Sequence, residues 1–207
     1  MNDLKMAQSI SGFSTKREPM DNYPTPDIAV IELLKREQFN GVVWEPCCGS
    51  GNIARHFKDC IATDIRSDVY GKGGIDFLKE YKTVNCIVTN PPFRLAKEFV
   101  EHSLNCSSDK VAMLLKLAFL ESRSRYDLFK NSPLKTVWVF SNRLPWIREG
   151  ENTMEGKSSM IPFAWFVWEK GYTGLPFIDW ILLDTDNGCA KQLTLDKSCS
   201  PKSTSSD

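Results

Sequence analysis

The sequence is poor in the features that mark membrane, secreted and metal-binding proteins. It holds no run of about 18 apolar residues, which excludes a helix that crosses a bilayer. Its start, Met1-Asn-Asp-Leu-Lys-Met-Ala-Gln, lacks a basic cluster followed by an apolar stretch, so a secretory leader is not expected and the cytoplasm is. Histidine is scarce, with only His56 and His102. The seven cysteines (47, 48, 60, 86, 106, 189 and 199) include no Cys-x-x-Cys pair, so the spacing offers no zinc cluster and no metal is expected. The adjacent Cys47-Cys48 allows a redox pair, but small reduced thiols in a cytoplasmic interior are the reading adopted. Net charge is also missing: 26 Lys+Arg balance 26 Asp+Glu. That excludes binding of nucleic acid by bulk electrostatics alone, and any such partner must find its charge locally. There is no internal repeat.

What remains is ordinary globular material, 42% hydrophobic and 25% charged, in 207 residues that fit one domain. Residues 1–20 and 186–207 are polar and aperiodic and are expected to be flexible, leaving a domain over 21–185. Within it the pattern alternates. Asp27 to Phe39 carries helical spacing, with Pro26 and Asp27 suited to a helix start. Gly41-Val-Val-Trp-Glu45 predicts a short buried strand, 52–58 a short helix, and Cys60 to Ile65 a second strand. A further strand is expected to end at Asp76. Strands over 85–90 and 110–117 flank a helix over 95–104, and two aromatic-rich strands follow over 135–140 and 161–168. Strand–helix alternation of this kind predicts a mostly parallel sheet with helices on both faces, whose ligands sit at the carboxyl ends of the strands.

Chemistry-bearing motifs fall at those ends. Glu45-Pro-Cys-Cys-Gly49-Ser-Gly51-Asn52-Ile-Ala54 lies between the first strand and a helix, where glycines permit a tight turn and a close approach of backbone to a nucleotide. Asp64 ends the next strand, where a carboxylate can accept from ribose hydroxyls. The glycine spacing alone does not separate NAD from S-adenosylmethionine. Glu45 bears on that choice, because a carboxylate ahead of the loop repels a pyrophosphate but suits a ligand carrying an ammonium and a sulfonium. Asp76 is read either as an acceptor for an adenine amino group or as a cap for the helix that begins at Phe77.

Thr89-Asn90-Pro91-Pro92-Phe93 is the most informative segment. Two prolines cannot continue a sheet ladder, so they end the strand and fix the backbone at the cleft. An exocyclic aromatic amine is a poor nucleophile because its lone pair is delocalised into the ring. The Asn90 side-chain oxygen and the Pro91 carbonyl, both accepting from such an NH2, favour a tetrahedral nitrogen with a localised lone pair. Hydrogen bonds that strengthen as charge builds act on the transition state. Phe93 adds a stacking face, worth about 1–3 kcal/mol per base.

With these motifs together, the sequence resembles amino-directed S-adenosylmethionine-dependent methyltransferases of the N6-adenine type. Asp21-Asn-Tyr23-Pro-Thr25-Pro26 is similar to the upstream motif of that family, whose Thr-Pro contacts the methionine end of the cofactor. The motif order resembles the group whose target-recognition part comes last. Leu114-Leu-Lys116-Leu-Ala-Phe-Leu-Glu-Ser-Arg123, Arg143-Leu-Pro and Ala164-Trp-Phe-Val-Trp resemble small methyltransferases of phages and prophages. The resemblance covers residues 20–180. It implies a Rossmann-like, seven-stranded α/β methyltransferase fold and S-adenosylmethionine as cofactor. It places Tyr23, Thr25, Glu45, Pro46, Cys47, Gly49, Gly51, Asn52, Asp64, Ile65, Asp76, Phe77 and Asn90 around that cofactor, and Asn90, Pro91, Pro92 and Phe93 at the chemistry. This chain lacks the separate recognition domain of larger DNA enzymes, so short-site or relaxed specificity is expected.

Charge supports a polynucleotide partner locally. Between Arg94 and Arg148 there are ten basic and five acidic residues, while 41–93 is balanced and 176–207 is acidic. Residues 142–160 interrupt the two late strands and form a candidate substrate loop, with Arg143 and Trp146. Lys116, Arg123, Arg143, Trp146 and Phe93 are the expected substrate contacts. The aromatic run 163–168 reads mainly as core. The expected activity is methylation of the N6 amine of adenine in DNA, with the base flipped or single-stranded. Adenine in structured RNA is the nearest alternative, then a protein glutamine amide, an NAD-dependent oxidoreductase, and a non-catalytic nucleic-acid-binding relative. DNA is the expected partner, with no membrane, and the protein is expected as a monomer or weak homodimer.

Overall fold

A computed structural model describes residues 24–145 and 161–183. Its frame is a seven-stranded sheet: β1 (Val43–Glu45), β2 (Cys60–Ala62), β3 (Val84–Thr89), β4 (Ser107–Lys116), β5 (Leu134–Phe140), β6 (Phe163–Glu169) and β7 (Phe177–Ile181). The order is β2-β1-β3-β4-β6-β5-β7, and only β6 runs antiparallel to its neighbours. The helices are α1 (Asp27–Leu34), α2 (Ala96–Cys106) and α3 (Tyr126–Asn131).

The central strands are apolar at successive positions because both faces are covered. Val111, Met113 and Leu115 of β4 point to one side, with Phe166 and Trp168 of β6, against Phe99 and Val100 of α2 and Leu128 of α3. Ala112 and Leu114 point to the other, with Trp165 and Val167, against Ala29, Val30 and Leu33 of α1. Trp165 is fully buried, and its indole N–H donates to the Ala29 carbonyl at 2.8 Å, so the largest polar-tipped ring in this layer is satisfied. The aromatic run 163–168 is therefore core.

Four expectations about elements need correction. The helix beginning at Asp27 stops at Leu34 instead of reaching Phe39, because Glu37 turns inward to meet Lys110 at 2.8 Å and the Trp138 indole at 3.0 Å. The helix over 52–58 is a single 3-10 turn, Ala54–His56. No strand ends at Asp76: after β2 only a bridge between Thr63 and Lys72 continues the pairing. Asp76 instead caps the 3-10 turn Phe77–Lys79, accepting from Leu78 N–H at 3.2 Å. The seventh strand is at the opposite edge, where β7 pairs parallel with β5. Ile181 is buried, but Ile178 and Trp180 are exposed. The Asp179 carboxylate accepts from Trp180 N–H at 2.8 Å, which satisfies one edge donor and places a charge on the edge.

Candidate functional site

The carboxyl ends of β1, β2 and β3 open onto one cavity of about 490 Å³. Its floor is the loop after β1. Gly49 (φ 47°) and Gly51 (φ 82°) take left-handed conformations that other residues adopt at a cost, and Gly51 N–H donates to the Cys48 carbonyl at 2.6 Å. The two glycines serve different neighbours. A Cβ at Gly49 meets only the Arg66 guanidinium, at 3.3 Å, whereas one at Gly51 falls 2.3 Å from the Tyr70 ring. Gly51 does not line the cavity; its missing side chain seats the ring of a strap, residues 66–74, that folds back over the loop. The strap is tied down by Tyr70 N–H to the Gly49 carbonyl (2.8 Å) and Lys72 N–H to the Ala62 carbonyl (2.9 Å).

Three carboxyl groups reach the cavity. Glu45 is 2% exposed and accepts from Ala54 N–H at 2.6 Å, which ties the end of β1 to the turn beyond the glycines. Burial pushes its pKa well above the ordinary carboxylate range, with the nearby Asp64 charge adding to the effect and the Ala54 hydrogen bond opposing it. Asp64 is also buried, and its two oxygens accept from Gly49 N–H (2.9 Å) and Arg66 N–H (3.0 Å), so it braces the loop while facing the cavity. Asp76, more open, pairs with Lys79 at 2.9 Å, and that hydrogen bond holds its pKa low. The Cys47 thiol in the same wall is pushed up by burial and by the adjacent acids, and the Cys60 thiol is pushed up to about 12 chiefly by burial, so both are neutral and inert.

Thr25, Glu45, Pro46, Cys47, Gly49, Asn52, Asp64, Ile65, Asp76, Phe77 and Asn90 all line this cavity, as does Pro92. Tyr23 lies outside the described residues. Thr25 is held against the glycine loop because Asp27, at the start of α1, meets His56 at 3.3 Å. Sequence reasoning missed Arg66, Arg94, Leu95 and Phe99 of the lining. Leu95 and Phe99, four residues apart where α2 begins, carried a helical-face signal pointing at the cleft.

The Asn90 turn leaves β3 at the mouth. Pro91 is buried, and the Pro92 carbonyl accepts from Leu95 N–H at 2.9 Å, opening the 3-10 turn Phe93–Leu95 that runs into α2. Phe93 points away from the large cavity into a second one of about 160 Å³, shared with Ala96, Leu115, Lys116, Ala118, Phe119 and Arg125. There the Lys116 ammonium lies 4.2 Å from the Phe93 ring centroid, and the Phe163 ring is 5.5 Å away.

The basic stretch divides between the two ends of the strands. Lys110, at the start of β4, meets Glu37 and Glu169 at 2.8 and 3.4 Å, and Lys135 meets Glu169 at 2.8 Å. Burial opposes the Lys110 charge, but the Glu37 and Glu169 carboxylates outweigh it and hold its pKa above the usual value. Those charges belong to the fold. Lys116, Arg123 and Arg143 emerge at the catalytic end, where Arg123 and Arg143 are exposed. Trp146 and the rest of the expected substrate loop, 146–160, lie outside the described residues. Arg125, not singled out from sequence, turns inward: it donates to the carbonyls of Phe119 (2.8 Å), Ala118 (3.2 Å) and Glu121, and lies over the Phe119 ring. It braces a loop in which Ser122 holds a φ of 114°, strain of a kind that persists only where neighbours enforce it.

No protein-family model and no curated protein sequence matches this chain. Solved structures do. A protein from Pyrococcus horikoshii assigned as an RNA methyltransferase superposes with a TM-score of 0.55 at 16% identity, covering 81% of this chain and 98% of its own. A modification subunit assigned to a type I restriction enzyme of Vibrio vulnificus gives 0.52 at 15%, covering 90% of this chain and 51% of that one. The M protein of the type I restriction enzyme EcoKI gives 0.52 at 15%, covering 83% and 52%. The chain spans about half the length of those two subunits. Its fold is thus the Rossmann-like α/β fold of methyltransferases.

Proposed function

We propose that this protein transfers the methyl group of S-adenosylmethionine to the N6 amine of adenine in DNA. The observation that carries the reading is that Asn90, at the head of the Asn-Pro-Pro-Phe turn, lines the same cavity as Glu45, Asp64 and Asp76. A group that can polarise an amine thus shares a chamber with the carboxylates suited to a cationic, ribose-bearing cofactor.

The cavity fits that cofactor chemically. Its volume lies within the range of small-molecule sites. Its acids suit an ammonium, a sulfonium and ribose hydroxyls, and Ile65, Phe77 and Phe99 offer apolar walls for a purine. Glu45 and Thr25 sit toward the charged end, and Asp64 and Asp76 toward the nucleoside. When bound, S-adenosylmethionine supplies an electrophilic methyl group. The chain's own contribution is to hold the acceptor. The Asn90 side-chain oxygen and the Pro91 carbonyl accept from the two N–H bonds of the adenine amine, which localises the lone pair on nitrogen. Because these hydrogen bonds strengthen as positive charge develops there, they stabilise the transition state more than the bound substrate. No strong base is required, since the amine sheds its proton after attack. Phe93 stacks the ring, and Arg123, Arg143 and Lys116 meet phosphates.

RNA is the second reading, because the Pyrococcus horikoshii protein, itself assigned as an RNA methyltransferase, is covered almost completely by this short chain. Offering methyl-labelled S-adenosylmethionine with DNA, RNA and protein separately decides between them. Label in DNA, lost in Asn90→Ala, is expected; label entering only RNA or only protein refutes DNA as the substrate.

A further inference from the structure

Phe93 is the expected stacking platform, yet in this structure its ring is already attended on two sides. Phe163 flanks it at 5.5 Å with the rings inclined by 46°, and Lys116 sits over it with the ammonium 4.2 Å from the centroid. A stacked base needs that same space, since aromatic pairs place their centroids about 4.5–7 Å apart. Of the two neighbours, Phe163 is fixed: it is 4% exposed and starts β6, in register with Lys116 itself on β4. Lys116 is half-buried at the carboxyl end of β4, with a flexible four-carbon stem whose ammonium is attracted to the ring face only modestly. It is the neighbour that can leave.

What draws it away is set by charge. A neutral nucleoside offers the ammonium nothing and must displace it from the ring. A nucleotide within a chain brings phosphates, and an ammonium gains more from a phosphate than from an aromatic face. Arg125 does not compete for that phosphate, because its guanidinium is committed to the carbonyls of Ala118, Phe119 and Glu121. We propose that Lys116 is a specificity-determining residue, covering the stacking face of Phe93 until a backbone phosphate takes its ammonium, so that adenine in a polynucleotide is admitted ahead of free adenosine. This rests on the reading of the Asn90 turn as an adenine-amine site.

The test compares Lys116→Met and Lys116→Arg with the unchanged protein, using adenosine and a short single-stranded oligonucleotide bearing one adenine, with S-adenosylmethionine affinity confirming a folded site. Lys116→Met uncovers the ring, so adenosine binds roughly two- to fivefold more tightly. Oligonucleotide affinity falls, and the slope of log affinity against log salt decreases by about 1. Lys116→Arg keeps a cation over the ring and at the phosphate, so adenosine binds no more tightly than to the unchanged protein and the salt slope stays. Adenosine affinity unchanged or weakened in Lys116→Met, or an unchanged salt slope, overturns the inference alone. An unchanged protein that binds S-adenosylmethionine but neither binds nor methylates the oligonucleotide overturns the functional reading and this inference with it.

Discussion

The two ends of strand β4 lie six residues apart and use the same side chain in opposite ways. At the start, Lys110 is closed between Glu37 and Glu169, with Trp138 donating to Glu37 behind it. At the finish, Lys116 lies over an aromatic ring beside the Asn90 turn. The first end spends its charges on holding α1, β4 and β6 together. The second leaves cations, a stacking ring and a rigid acceptor turn at the mouth of a cavity. A net count over the stretch treats these lysines alike; the fold separates them into structure and function.

Four substitutions break or sharpen that separation. Lys110→Met leaves the Glu37 carboxylate buried without its cation, so it is expected to destabilise the protein by about 3–5 kcal/mol in denaturant unfolding, with kcat close to unchanged below the transition. Adding Glu37→Gln restores part of the loss. Asn90→Ala does the reverse: it is expected to lower kcat by about 10²–10³ while the unfolding midpoint stays near that of the unchanged protein.

Glu45→Gln joins the two roles in one side chain. Burial raises the Glu45 pKa, so the folded protein retains a proton that the unfolded chain gives up in the ordinary carboxylate range. The stabilising contribution is complete at low pH, below that range, and is lost as pH rises through the folded-state value. The Gln variant, which still accepts from Ala54 N–H, loses this dependence. A cationic ligand favours the carboxylate, so cofactor affinity in the unchanged protein rises with pH over the same window, with proton release visible by calorimetry in buffers of different ionisation enthalpy. In the variant, affinity falls about tenfold or more and its pH dependence flattens. Arg123→Ala is the smallest change: stability within about 0.5 kcal/mol and a salt slope of oligonucleotide binding lower by about 1.

The residues legible from sequence are those whose effect is local. Prolines 91 and 92 end a strand wherever they occur, and Gly49 turns the chain regardless of what packs on it. The alternation of Val111 to Leu115 also follows from burial on both faces. What sequence reasoning missed depends on partners far along the chain. Helix α1 stops short because Glu37 finds Lys110 and Trp138, 73 and 101 residues away. Gly51 is required by Tyr70, and Arg125 by three carbonyls of a loop whose course shows only in the folded chain. The strand expected at Asp76 gave way to a cap, and β7 formed at the other edge, where Ile178 and Trp180 do not show the burial that makes a strand readable.

The central claim is that the Asn90 turn carries methyl transfer to an adenine amine. Its most direct test is to incubate the protein with S-adenosylmethionine and DNA, digest the product to nucleosides, and quantify N6-methyladenine beside the Asn90→Ala variant. The account predicts N6-methyladenine as the methylated nucleoside, at least a hundredfold slower in the variant. Methylation at another atom, or an equal yield from Asn90→Ala, contradicts it.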